Sequence, residues 1–247
     1  MKKLRWYLLL GLSLTALSLV FYLIQIALFH RTEDTFFYML QDVAFVPIQV
    51  LLVTFIIARL LSEREKRALM KKLNMPIGAF YSEVGTSLIK YCSNFSSDLS
   101  ELTPHLLITA KWTQKDFSTA ARLVPASDPK LDSRKDDLKK LKDFLEGKRD
   151  FLLGLLANPN LLEHDAFTDL LWAVFHLSEE LSARNTLEGL PRTDYDHLSG
   201  DIKRAYALLL SEWLIYMKHL REDYPYLFSL AVRMNPLDVN ASSVVKE

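Results

Sequence analysis

Two sets of side chains have spacings that suggest metal chemistry. Asp169, His176 and Glu179 fall at i, i+7 and i+10, and Glu212, His219 and Glu222 repeat that spacing later in the chain. Helical bundles hold paired metal ions with carboxylate and imidazole groups projected from facing helices, because such mixed oxygen–nitrogen sets suit first-row divalent cations. Two features weigh against that chemistry here. The histidine precedes the carboxylate, as His-x-x-Glu, where the bundle motif has Glu-x-x-His. At the helical period, both sets also lie opposite the apolar stripes of their own helices and should face solvent. The sequence therefore assigns no metal ligand and no cofactor. The same outward faces could meet a partner, with Trp172, also off its stripe, as an anchor.

No other group of residues points to catalysis. His105, His164 and His197 stand near expected helix starts, where capping or solvent exposure accounts for them. The glycines are scattered, so neither a P-loop nor a dinucleotide fingerprint is present. Cys92 is the single cysteine, expected to be packed on a helix face. It can form no internal disulfide, which fits a reducing compartment. No catalytic residue is assigned, and the chain is not expected to be an enzyme.

A different kind of candidate lies in the apolar N-terminal region. Asp42, Pro47 and Gln49 are polar or helix-perturbing residues at the start of, or within, a stretch that otherwise reads as membrane-spanning. An ionisable group there is costly and so marks a functional position by default, whereas one at headgroup level is an ordinary helix-start residue. Amides such as Gln49 also join helices inside membranes. Just beyond, Arg59, Arg64, Lys66, Arg67, Lys71 and Lys72 form a basic cluster. It would attract anionic lipid headgroups by about 1 kcal/mol per residue, and it also fits the charge rule for orientation.

The elements that position these residues are helical throughout. Trp6 to Phe29 contains no charge and exceeds the ~20 residues that cross a bilayer as a helix. It is also too long for a signal-peptide core and lacks a small-residue cleavage site. A short link, His30 to Thr35, leads to a second span from Val43 to Leu61, with Phe36 as the alternative start. Lys2, Lys3 and Arg5 precede the first span and the basic cluster follows the second, so both termini are expected in the cytoplasm. Met75-Pro76 then predicts a break, with Asn74 capping a new helix.

Downstream, capping residues and prolines mark helix after helix. Thr103-Pro104 opens one to about Lys111, Thr113–Asp116 another to about Val124, and Asp132-Ser133 a long one to about Ala157. Apolar stripes predict helices from about Asp165 to Ala183, Tyr195 to Arg221 and Tyr226 to Met234. No period-2 alternation suggests a strand.

The expected fold is all-α: a two-helix transmembrane hairpin over 1–61, a charged membrane-proximal helix over 62–75, a cytoplasmic multi-helix bundle over 76–236 and a flexible tail over 237–247. With 30 basic and 30 acidic residues the net charge is zero, which gives no pull toward nucleic acid. The expected role is a membrane-anchored sensor, scaffold or regulatory module in the cell (inner) membrane. It would self-associate, and the bundle would bind a cytoplasmic protein or small ligand. The alternative is a homo-oligomeric ion channel lined by the second span, with Asp42 near its outer mouth.

Overall fold

The computed structural model describes residues 2–29, 32–96, 102–161 and 164–245, with backbone alone at 2–11, 29 and 65–74. Among the described residues the protein is all-helical, with 77% of them in helix and none in a strand. It forms two compact units, Met1–Lys66 and Arg67–Glu247.

The first unit holds α1 (Lys2–Phe29) and most of α2 (Thr32–Phe80). α2 starts earlier than the expected span, because Glu33 and Asp34 sit in its first turn, where the helix dipole favours negative charge. The Tyr22 hydroxyl donates to Asp42 Oδ2 at 3.4 Å. These residues lie ten positions to either side of Thr32, so the chain doubles back between them. Among the described residues one stretch, Thr32–Arg64, is long and apolar enough to cross a membrane; the described apolar part of α1, Leu12–Leu28, is shorter.

α2 also runs on where a break is expected. Met75-Pro76 lies inside it, so no new helix begins at Asn74. Proline removes one backbone donor, but Ile77 and Phe80 beyond it are buried in the core, and that burial holds the helix through the gap. The irregularity comes one turn later, as a π turn at Tyr81–Gly85 that leads directly into α3 (Thr86–Asn94). Both the backbone N–H and the hydroxyl of Thr86 donate to the Tyr81 carbonyl, the hydroxyl at 2.8 Å.

The rest of the second unit packs around α7 (Asp165–Ser182) and α8 (Arg192–Asp223). Their stripes are buried as the period requires: Phe167, Leu170, Leu171, Val174, Leu177 and Leu181 on one, and Ala205 through Leu220 at helical spacing on the other. α4 (Gln114–Ala126) opens on the expected cap, with the Asp116 carboxylate accepting from the Thr113 N–H at 2.6 Å and hydroxyl at 2.7 Å. That pairing holds the Asp116 carboxyl below its ordinary range. α9 (Pro225–Arg233) closes the order.

Two expected helices are shorter. Thr103-Pro104 opens only a single 3₁₀ turn, Thr103–His105. The following segment is instead pinned by Asn235, whose side-chain amide donates to the Leu106 carbonyl at 2.9 Å. The long helix expected from Asp132 begins at Leu138, capped by Asp137, and divides at Lys148 into α5 (Leu138–Gly147) and α6 (Arg149–Leu156). Ser133 lies five residues before that start, and its hydroxyl donates to the Tyr195 carbonyl of α8 at 2.8 Å.

Gly85 decides the packing at the π turn. A Cβ there would stand 2.5 Å from Tyr81 Cδ1 and 2.8 Å from Phe80 Cε1. Neither ring can retreat: Phe80 lies edge-on to Phe167, and Tyr81 stacks on Tyr216 at 4.9 Å. Gly85→Ala should therefore cost about 1–3 kcal/mol by overpacking. Gly154 has open space around its Cα, so Gly154→Ala should be neutral or stabilise by up to ~1 kcal/mol through helix propensity. Thermal unfolding of the two full-length variants, followed by near-UV circular dichroism, checks the contrast.

Candidate functional site

The stripes that bury α7 against α8 also decide which polar residues meet. Leu177 and Leu181 are buried on α7, and Leu198 and Ile202 on α8. The residues one position before each are His176, Glu180, His197 and Asp201, and they flank the same seam. The pairing is antiparallel, so His176 faces Asp201 and His197 faces Glu180. His176 Nε2 lies 3.5 Å from Asp201 Oδ2 and 3.8 Å from Glu180 Oε1. His197 Nε2 lies 3.3 Å from Asp201 Oδ2 and 3.5 Å from Glu180 Oε2. One ligand atom from each of the four residues falls within 4.8 Å of all the others.

The four differ in access to solvent. The His176 and His197 side chains are 45% and 51% exposed, and that of Asp201 is 3% exposed. Asp201 Oδ1 is 3.3 Å from Arg204 Nη1, while Oδ2 accepts no hydrogen bond. Arg184 holds the other carboxylate in place. It makes a two-pronged pair with Asp194, at 2.9 and 2.7 Å, and gives a third contact to Glu180 Oε2 at 2.8 Å. Hydrogen bonding from Arg184 keeps the Glu180 and Asp194 carboxyls below their ordinary range and, led by Asp194, raises the guanidinium above its own. Gly189, at φ 68°, supplies the left-handed turn that brings Asp194 back to Arg184.

The sets read from i, i+7 and i+10 do not assemble. Asp169 and Glu222 are exposed, Glu179 pairs with Arg149, and His219 Nδ1 is 2.8 Å from Asp223 Oδ2. His176 alone among them joins the cluster. Glu212 corrects the expectation of an outward face: it is buried on α8, at 4% exposure. His164 caps α7, its Nδ1 accepting from the Phe167 N–H at 3.1 Å, His105 is exposed, and Trp172 is exposed as its position off the stripe requires. The useful signal was i, i+4, present as His-x-x-x-Glu at 176–180 and His-x-x-x-Asp at 197–201. Cys92 is fully buried, and desolvation pushes its thiol up to about 12, leaving it unreactive.

In the first unit Asp42, Pro47 and Gln49 are exposed on α2, which runs unbroken through Pro47. Arg59 and Arg64 are exposed as well; the side chains of Lys66, Arg67, Lys71 and Lys72 lie outside the described residues.

Burial raises the Glu212 carboxyl above its ordinary value, with His164 opposing the shift in part. A raised acid stabilises the fold fully below its unfolded value and loses that contribution as pH rises through its folded value. Glu212→Gln should thus unfold close to wild type near pH 4 and at a higher temperature at pH 7–8, a gap that Tm values across pH would expose.

The family model described as "MJ1433, N-terminal helical domain" matches residues 2–61, and that described as "Uncharacterized protein MJ1433, C-terminal helical domain" matches residues 69–233. The chain is 43% identical to Uncharacterized protein MJ1433 of Methanocaldococcus jannaschii over 243 residues, covering 98% of this chain and 97% of that one. No solved structure matches it.

Proposed function

The chain belongs to the MJ1433 family, and from that premise we propose that it is a two-span membrane protein whose helical domain serves as a membrane-anchored sensor, scaffold or regulatory module. The observation that carries this reading is the surface of α2. Phe36, Leu40, Leu51 and Phe55 are between 61% and 69% exposed, and they belong to a long run of mostly apolar exposed side chains. Soluble monomers rarely expose an apolar patch above a few hundred Å². A helix also satisfies its own backbone, which is what a bilayer demands. The similarity to the M. jannaschii protein spans the apolar helices and the helical domain alike, which supports treating them as one functional whole.

In this reading α1 is the first span and α2 the second, the short link between them faces outward, and both termini are cytoplasmic, with Arg59 and Arg64 at the headgroups of the inner face. Gln49 is the polar group left to recruit a second hairpin. Asp42 already accepts from Tyr22 within its own chain, so it offers little support for a carboxylate ring around a pore. The exposed Trp172 face is where the domain would dock a cytoplasmic protein.

Thiol labelling tests the topology. With a reagent that cannot cross membranes, Glu33→Cys should react in whole cells. Lys2→Cys and Ser242→Cys should react only in inside-out vesicles. A reactive Lys2→Cys in whole cells would sink the two-span arrangement, and release of the protein by alkaline carbonate would sink the membrane reading altogether.

A further inference from the structure

We propose that His176, Glu180, His197 and Asp201 form a binding site for one divalent transition-metal ion of the zinc class, clipping α7 to α8. The inference goes beyond membrane anchoring and does not depend on it.

The first support is geometric. A zinc ion with arms of about 2.05 Å sets its ligand atoms ~3.3 Å apart at the edges of a tetrahedron. With Glu180 Oε1 as the fourth ligand atom, three edges of the set are 3.3, 3.5 and 3.8 Å, each between a histidine Nε2 and a carboxylate oxygen, while the 3.5 Å contact of His197 is to Glu180 Oε2, the oxygen Arg184 holds. Helix geometry produces them without distortion. Residues at i and i+4 share a face, so each helix presents one imidazole and one carboxylate, and antiparallel packing sets unlike groups against each other.

The second support is Asp201 Oδ2. It is buried, accepts no hydrogen bond, and is aimed at both imidazole Nε2 atoms. A buried carboxylate oxygen left without a donor costs the fold free energy, and a cation seated among the four ligands would supply what it lacks. Arg204 approaches only the other oxygen, Oδ1. Glu180 is held from behind by Arg184, itself neutralised by Asp194, in the manner in which outer partners orient metal ligands. That contact is made through Oε2, so Oε1 stays turned toward His176.

The donor set selects the ion. Two imidazoles favour zinc and its neighbours, whereas magnesium and calcium prefer oxygen alone. The half-exposed histidines leave the ion a route in from solvent. The rival occupant is the proton: with both imidazoles charged, the same four residues would be a plain ion-pair cluster.

The test uses the full chain, purified in detergent with any affinity tag removed and metal stripped by chelator. It is dialysed against zinc, cobalt(II) or magnesium, and bound metal is measured by mass spectrometry. One equivalent of zinc per chain is expected, with a Tm rise of about 5 °C or more at saturation. Cobalt should give the visible absorption of a four-coordinate site, and magnesium should do nothing. Asp201→Asn should lower zinc affinity more than tenfold while leaving the metal-free Tm equal or higher. If that variant does not fold, the double variant His176→Gln, His197→Gln, which alters only half-exposed rings, carries the same expectation for zinc. Less than half an equivalent of zinc overturns the proposal, as does zinc binding unchanged in the variants. A wild-type Tm indifferent to zinc, with a metal-free Tm that falls in Asp201→Asn, identifies the proton-filled cluster and overturns it too.

Discussion

The helical domain depends on one crowded contact, where Phe80 and Tyr81 are buried side by side at the π turn. Successive residues on a regular helix point about 100° apart, so two adjacent large rings seldom share a core. Here both are at most 1% exposed. Gly85 makes that possible, since both rings occupy the space a Cβ would claim. The Tyr81 hydroxyl, taken out of water with its ring, donates to the Leu209 carbonyl at 3.0 Å, which removes the penalty of burying it unpaired. Burial also raises its pKa well above the ordinary value, so the phenol stays neutral and keeps donating.

That contact fixes the two central helices at once. Phe80 meets Phe167 on α7, and Tyr81 meets Tyr216 on α8. Farther along the same seam, Arg184 clamps the connection between α7 and α8 through Asp194. The polar cluster lies between these two restraints. Its four side chains sit on regular helix, flanked by buried leucine and isoleucine, which sets their positions more tightly than loops would.

What the sequence makes legible is periodicity. The stripe of α7 is readable because each inward residue is apolar and its spacing is helical, and the structure buries every one. Breaks are harder, because they depend on partners far along the chain. Pro76 fails to end α2 because Ile77 and Phe80 are held in a core built by residues far along the chain, Phe167 among them. Ser133 is tied instead to α8, its hydroxyl donating to the Tyr195 carbonyl, and the helix waits for Asp137. The polar cluster was hidden for a related reason. Judging a side chain by whether it lies on or off the apolar stripe divides a helix into two faces. His176, Glu180, His197 and Asp201 occupy the border between those faces, and only the antiparallel register of α7 on α8 brings the borders together. Glu212 shows the same weakness from the other side: it is buried at a position that the stripe of its own helix would leave open, within electrostatic reach of Tyr81 and His164.

Asp201 is the residue that makes the cluster more than a surface feature. Leu198 and Ile202 close the seam on either side of it, and a leucine at 201 would extend that apolar packing. The aspartate forgoes it and adds a desolvation cost that packing does not recover. Arg204 offsets part of that cost, but it is 61% exposed and reaches a single oxygen. The groups gathered around the other oxygen are the two imidazoles, with the carboxylate of Glu180 beyond them. A second carboxylate drawn toward a buried first one raises the electrostatic cost unless positive charge stands between them. Positive charge at the centre, carried by a metal ion as we propose or by protonated imidazoles, is what would relieve that cost.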